Sequence, residues 1–293
     1  MVDVSIGIMA YNEEAGISRS LAALLNQKME HARLKEIVVV ISGCTDRTEA
    51  IVRDFMKEHS CVHLIVQTKR QGKASAINRF LSMASGDILI LVSADTVPEP
   101  GALDRLVAPF KLSHVGMTGA RPVPINPPAT FLGYTVNLMW DLHHAISLRT
   151  PKLGELVAFR NGIKKMPEHT AVDEACIEAM VTAAGYELCY VPEAVVRNKG
   201  PDNIKDFIRQ RRRIAAGHQH LLKKQGYRVS TMSLMRILRA LIPRQSWRVK
   251  DILWTFGAIG LEAMARILGS IDVHIRRQIS VAWDVSVSTK TWD

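Results

Sequence analysis

The chain has 293 residues, 47% of them hydrophobic and 23% charged, a size and balance that give a folded core and exclude extended disorder. Its net charge of +10 is uneven: residues 199–293 carry 18 Lys or Arg against 7 Asp or Glu, whereas residues 1–198 carry 20 against 21. Four scattered cysteines without a Cys-x-x-Cys pair argue against structural zinc or a disulfide framework. They fit a reducing cytoplasm, and with no basic-then-apolar leader after Met1, export is not expected.

The first hundred residues alternate strand and helix patterns. Apolar runs over 5–10, 35–41, 62–67 and 88–92 predict strands, and helical spacing of apolar residues over 15–25, 48–56 and 73–84 predicts helices between them. This order predicts an α/β fold with a mostly parallel sheet covered by helices on both faces, and ligand chemistry at the sheet's carboxyl edge. Residues 119–128 are Pro-rich, 131–148 form a mixed aromatic helix, and 154–160 read as a strand. A helix over 175–184 stops at Gly185 and a strand follows over 186–191. Beyond it come a basic helix over 204–222 and an amphipathic helix over 233–242. The stretch 252–271 is apolar apart from Glu262 and Arg266 and falls short of a clean spanning helix. It suits either an interfacial helix with one face in lipid or a helix docked on the core. A domain over 1–225 followed by a basic helical extension over 226–293 is the expected organisation.

Four predicted strands end in polar loops that would converge. The first offers Ala10, Tyr11, Asn12 and Glu13: an aromatic face for a base and acceptors for ribose hydroxyls. The second offers Ser42 and Gly43, with Thr45 and Asp46 able to cap the next helix. The third, Lys69-Arg70-Gln71-Gly72-Lys73, is a cationic turn opening a helix that carries Asn78, fit to face phosphate. The fourth is Ser93-Ala94-Asp95, with Asp95 at the mouth of a buried strand. A lone strand-end Asp more often caps a turn; the company it keeps changes that.

In this order the loops resemble those of the family-two glycosyltransferases of GT-A fold, over residues 5 to about 217. That family's Tyr-Asn-Glu-Glu appears as Tyr11 to Glu14, its Gly-Ser-Thr-Asp-Gly-Thr turn as Gly43 to Thr48, its Gly-Lys-x-x-Ala-x-Asn helix as Gly72 to Asn78, and its Asp-x-Asp strand end as Ser93-Ala94-Asp95. The resemblance implies a nucleotide-diphospho-sugar bound by the first loops, and Mg²⁺ or Mn²⁺ held by Asp95. Two departures stand out: Ile41-Ser42 replaces an acidic pair, and Ser93 replaces the first carboxylate of the metal motif.

Farther along, Asp173-Glu174 stand where the family has an acidic pair at the head of a helix ending in Ala-Gly-Tyr, here Ala184-Gly185-Tyr186. Glu174 falls at the catalytic base and Asp173 at the preceding acid, and the choice between them is open; an acceptor hydroxyl must lose a proton as the diphosphate leaves from the opposite face. The family's Gln-x-x-Arg-Trp motif matches Gln210 to Ile214, which places Gln210 and Arg213 at the diphosphate. Ile214 in place of Trp favours single-sugar transfer over polymer synthesis. Trp140, His143 and His144 are read as structural or acceptor-lining; adjacent helical histidines diverge and seldom hold one ion.

The function expected is inverting, metal-dependent transfer to a lipid-linked or glycan acceptor by a protein lying on the cytoplasmic face of an anionic membrane through its C-terminal third. Alternatives are an inactive sugar-nucleotide-binding relative and a basic nucleic-acid-binding protein, though no nucleic-acid signature is evident and no such partner is expected. A sugar nucleotidyltransferase would need a Gly-rich loop with an activating Arg after the first strand, and residues 10–16 have neither.

Overall fold

The structure, a computed structural model, describes residues 1–276 apart from His169 and Gln245, so the last part of the expected extension, 277–293, lies outside the described residues. Its first half runs β1 (Val2–Ala10), α1 (Ile17–Leu25), β2 (Ala32–Ser42), α2 (Thr48–Glu58), β3 (Val62–Gln67), α3 (Lys73–Met83) and β4 (Ile88–Ser93), as the apolar periodicity predicts. The second half runs β5 (Val97–Pro98), α4 (Ala102–Val107), β6 (Val115–Pro124), α5 (Phe131–Ser147), β7 (Leu156–Arg160), α6 (Asp173–Ala183), β8 (Glu187–Asn198), α7 (Ile204–Gln225), α8 (Leu234–Leu241) and α9 (Val249–Ile271).

One sheet of eight strands has the order β3-β2-β1-β4-β7-β6-β8-β5. The β3-β2-β1-β4 half is wholly parallel, with Ile6 level with Ile37 on one side and Ile90 on the other. Beyond it the sheet is mixed: β7 runs antiparallel to both β4 and β6, while β6 and β8 are parallel. The pleat sends alternate residues to opposite faces, and both faces are covered. On one, Ile6, Ile8, Ile37 and Val39 pack with Ile17, Leu21 and Leu24 of α1 and Leu103 and Leu106 of α4. On the other, Val38, Val40, Leu89 and Leu91 pack with Ile77 and Phe80 of α3 and Ile177 of α6.

Three elements differ from the sequence expectation. The Pro-rich segment is largely strand, because β6 beyond Gly119 pairs only with β8 and its other edge is open, where a proline's missing N–H costs nothing. A two-residue strand, Val97–Pro98, which no apolar run announces, pairs with β8. The short helix α4 fills one face between them, a segment with too few turns to show a period.

The C-terminal helices return to the body. Asn203 caps α7 by accepting from the Asp206 N–H at 2.9 Å, and Gly226 ends it with φ at +69°. Along α7 lies α9, with Ala258, Ala265 and Gly269 buried against it; a Cβ at Gly269 would stand 2.7 Å from the Arg212 carbonyl oxygen, so the two backbones need that glycine to meet. The opposite side of α9 is open, with Leu253, Phe256 and Ile267 each more than 60% exposed. One face of α9 is thus docked on the body and the other is apolar and exposed. Among the described residues Val249–Ile275 is the one helix long and apolar enough to cross a membrane by length and composition.

Candidate active site

The carboxyl ends of β1, β2 and β4, the segment leading into β7 and the inner faces of α5, α6 and α7 enclose a cleft of about 530 Å³. Ala10, Tyr11, Glu13, Ser42, Lys73, Ser93, Ala94, Asp95, Asp173, Glu174, Gln210 and Arg213 all line it. Residues as far apart in the chain as Ala10 and Arg213 are brought to one wall or another of the same space.

Three expected site residues are absent from that lining, each for a visible reason. Asn12 clasps the next loop: its Nδ2 donates to Thr45 Oγ1 at 3.2 Å and its Oδ1 accepts from the Thr45 N–H at 2.8 Å. Gly43, at φ +68°, lets the second loop lie against the third, where a Cβ would come within 2.7 Å of the Arg70 nitrogen. Asn78 spends both ends of its amide on the Met166 backbone, donating to the carbonyl at 3.0 Å and accepting from the N–H at 2.8 Å. It fastens the 163–167 segment to α3 and does not face the cleft.

Two residues are engaged otherwise than expected. The Arg70 guanidinium lies 4.1 Å from the centroid of the Tyr11 ring, so a cation covers one of the aromatic faces that could meet a base. Lys73 reaches across the cleft to the acidic pair, with Nζ at 2.9 Å from Glu174 Oε1 and 3.4 Å from Asp173 Oδ2. Burial works against the Lys73 ammonium, yet the two carboxylates outweigh it and raise its pKa. Burial likewise opposes the Glu174 carboxylate, and Lys73 overcomes it, holding the group down at about 2. Asp173 goes the other way: burial raises its pKa against the pull of Lys73, and its Oδ1 is buried without a hydrogen-bond partner. The pKa values of these neighbouring acids are thereby shifted in opposite directions.

Glu155 is the cleft residue that sequence reasoning missed. It precedes β7 at φ +62°, and its carbonyl accepts the Ser93 N–H at 3.4 Å. Only two non-glycine residues among those described have positive φ, Asn12 and Glu155, and both sit at this edge of the sheet. Burial first, then the charges of Asp95 and Glu174, lifts the Glu155 carboxyl to about 7. Its placement has a buried foundation: Glu178, fully enclosed, accepts from the Leu153 N–H at 2.6 Å, Lys152 Nζ at 3.2 Å and the Tyr227 hydroxyl at 3.1 Å.

The arginine run on α7 is not one solvated face. Arg211 makes two bonds to Glu262 of α9, at 2.8 and 2.9 Å, and Arg266 reaches the same carboxylate at 2.7 Å. Arg212 is paired with Asp272. Burial opposes the Glu262 carboxylate, and Arg211 and Arg266 bring it down to about 2 regardless. With its neighbours committed to α9, Arg213 faces the cleft and its Nε is buried without a hydrogen-bond partner.

On the far wall Trp140 stands edge-on to His143, with ring centroids 5.1 Å apart. His143 lines the cleft and is held neutral, its pKa lowered to about 3 by burial and by the charge of Lys152. His144 shares a 3.0 Å hydrogen bond with the Tyr190 hydroxyl and is structural. No three His, Cys, Asp or Glu side chains among the described residues converge as a metal cage. The carboxylates of Asp95 and Glu155 are hard oxygen donors, and they fit a divalent cation that completes its shell with phosphate oxygens and water.

A doubly covered sheet, parallel and then mixed, with an acid-rich cleft at its carboxyl edge, defines the GT-A class of sugar-nucleotide transferase folds. Residues 5–162 match the glycosyl transferase family 2, and the chain belongs to that family. It is 27% identical over 237 residues to a Bacillus subtilis protein named Probable glycosyltransferase YdaM, covering 75% of this chain and 56% of that one. With the poly-beta-1,6-N-acetyl-D-glucosamine synthase of Staphylococcus epidermidis it shares 24% identity over 245 residues, covering 79% and 58%. The chain thus spans little more than half the length of these curated relatives. Among solved structures it is similar to the mannosyltransferase PcManGT from Pyrobaculum calidifontis, solved with GDP-Man and Mn²⁺, at a TM-score of 0.67 and 23% identity over 94% of this chain and 88% of that one. Glucosyl-3-phosphoglycerate synthase from Mycobacterium tuberculosis, solved with Mn²⁺, UDP and phosphoglyceric acid, is similar at a TM-score of 0.51 and 21% identity, covering 78% and 80%.

Proposed function

We propose that the chain is an inverting glycosyltransferase that moves one sugar from a nucleotide-diphospho-sugar to a lipid-linked or glycan acceptor. The observation that carries this is the facing arrangement of Asp95, Lys73, Glu174 and Arg213 around one cleft. Tyr11, Glu13 and Ser42, which line the cleft, are assigned to the nucleotide, and Gln210 and Arg213, which line it too, to the diphosphate. A guanidinium at Arg213 would gain most as negative charge collects on the departing diphosphate, when its unpartnered Nε finds an acceptor.

Glu174 is the general base. Of the two acids it lies nearer the Lys73 ammonium, at 2.9 Å against 3.4 Å, which favours its carboxylate form, the form that can take the acceptor hydroxyl proton. Lys73 is shared between this base and the space for phosphate; a diphosphate drawing the ammonium away would leave Glu174 more basic once donor is bound. Attack by the acceptor hydroxyl on the face opposite the departing diphosphate would invert the anomeric centre. Asp95 would hold Mg²⁺ or Mn²⁺, whose positive charge would offset the negative charge of the departing diphosphate.

Ile214 lines the cleft where the family's polymer-forming pattern has Trp, which supports transfer of single sugars. The exposed side of α9 and the open apolar residues of α8, with Leu234 69% and Met235 59% exposed, support peripheral attachment to an anionic membrane on its cytoplasmic face. Arg211 and Arg212 are spent on internal ion pairs, which weakens the case for nucleic acid as the partner of the basic third.

A donor panel tests this. UDP or GDP release from sugar nucleotides is measured with Mn²⁺ and Mg²⁺, without acceptor and with lipid-phosphate or oligosaccharide acceptors. One nucleotide sugar should be turned over, and Asp95→Ala should lower turnover about 10²- to 10³-fold. No release from any donor, or full activity in Asp95→Ala, rejects it.

A further inference from the structure

We propose that Glu155 supplies the carboxylate that the metal motif lacks at Ser93, so that Asp95 and Glu155, from neighbouring strands, together hold the divalent cation. The inference rests on the metal-dependent transfer proposed above and adds a ligand that the family's motif does not contain.

The sheet makes the substitution possible. β4 and β7 are antiparallel, with Val92 opposite Leu156, which puts Ser93 directly across from Glu155. The contact is made, since the Ser93 N–H donates to the Glu155 carbonyl at 3.4 Å. Residues opposite one another on antiparallel strands occupy the same neighbourhood, so an acid at 155 can serve where an acid at 93 would. Ser93, Asp95 and Glu155 line one cleft.

Glu155 is also placed rather than incidental. Among the described residues its carboxylate takes part in charge interactions but in no hydrogen bond or ion pair, although acids in such surroundings ordinarily secure a donor. The segment before it is anchored by Glu178 through the Leu153 N–H and Lys152, and the backbone turns at φ +62° immediately after Gly154. A carboxylate fixed in a cleft beside a second carboxylate, with no proton donor of its own, suits a hard cation better than it suits water. Glu178 is in this account a positioning residue for Glu155.

Mn²⁺ binding, measured by loss of the free Mn²⁺ EPR signal in the presence of UDP or GDP, tests the assignment without reference to turnover. Wild type should bind Mn²⁺ with one of these nucleotides, and Asp95→Asn should abolish binding. Glu155→Gln should weaken it tenfold or more with metal-free nucleotide affinity unchanged, and Ser93→Asp/Glu155→Gln should restore it to within about threefold. The restoration also shows that the Glu155→Gln chain is folded. Glu155→Gln binding Mn²⁺ as wild type does while Asp95→Asn fails would overturn the role of Glu155 alone. A double variant as weak as the single would overturn the equivalence of the two positions. Wild type binding no Mn²⁺ with either nucleotide would overturn the metal-dependent function and this inference together.

Discussion

The two halves of the sheet reach the same cleft by different routes. In β3-β2-β1-β4 each strand ends in a loop that belongs to it, and the first and second loops are laced together by short contacts such as Asn12 with Thr45. In the half built from β6, β7, β8 and the later helices, the site is assembled from distant pieces: Lys73 meets Glu174 101 residues on, and Arg211 meets Glu262 51 residues on. A parallel βα unit delivers its chemistry locally, so its loops can be read in chain order. A mixed sheet with returning helices delivers it through pairings that only the folded chain reveals.

Three measurements press on this contrast. The largest effect belongs to Glu174→Gln, which sits where the halves touch. We expect a loss of about 10³-fold in kcat with nucleotide-sugar affinity preserved within about threefold, read by steady-state kinetics and calorimetry. If donor affinity collapsed with kcat, the acid would belong to the donor half and the division would fail.

The second acts on the returning helices alone. Glu262→Gln leaves Arg211 and Arg266 without their shared anion and should cost about 3 kcal/mol of folding stability at pH 7, measured by urea denaturation. The Glu262 carboxyl sits at about 2 in the folded chain, below the ordinary 4.5. Its stabilisation is therefore complete above pH of about 4.5 and is lost as pH falls toward 2, so the gap between wild type and variant should close over that interval. A gap constant down to pH 3 would show that the ion pairs do not carry it.

The smallest effect on folding comes from the outer side of α9. Leu253→Ser with Phe256→Ser should change stability by about 0.5 kcal/mol or less, because both side chains are more than 60% exposed. Sedimentation with vesicles containing anionic phospholipid should nonetheless fall tenfold or more, since each apolar side chain contributes on the order of 2 kcal/mol on transfer out of water. Unchanged sedimentation would remove the apolar face as a membrane contact.

How much was legible follows the same division. The strands of the first half announced themselves by alternating or continuous apolar runs, and Tyr11, Ser42, Lys73 and Asp95 could be placed at one edge from strand order alone. Asn78 could not be judged that way: a helix-borne amide near the cationic turn serves a phosphate or a backbone equally well, and which one depends on where the 163–167 segment passes. Glu155 carried no local signal beyond following a glycine. Finding it required knowing that β7 lies antiparallel beside β4, a pairing between segments more than sixty residues apart. The arginines of α7 looked alike in the sequence because their partners Glu262 and Asp272 lie far downstream.

The two-sidedness of α9 sets a practical limit on how this protein can be trimmed. A chain shortened to end before Val249 would shed the greasy outer residues, and would also strip Arg211 and Arg212 of their counter-charges and uncover the groove that Gly269 fills. Such a truncation would loosen the very helix that presents Arg213 to the cleft. Better solution behaviour is to be sought by repainting Leu253, Phe256 and Ile267 with polar residues, which leaves the inward side of the helix in place.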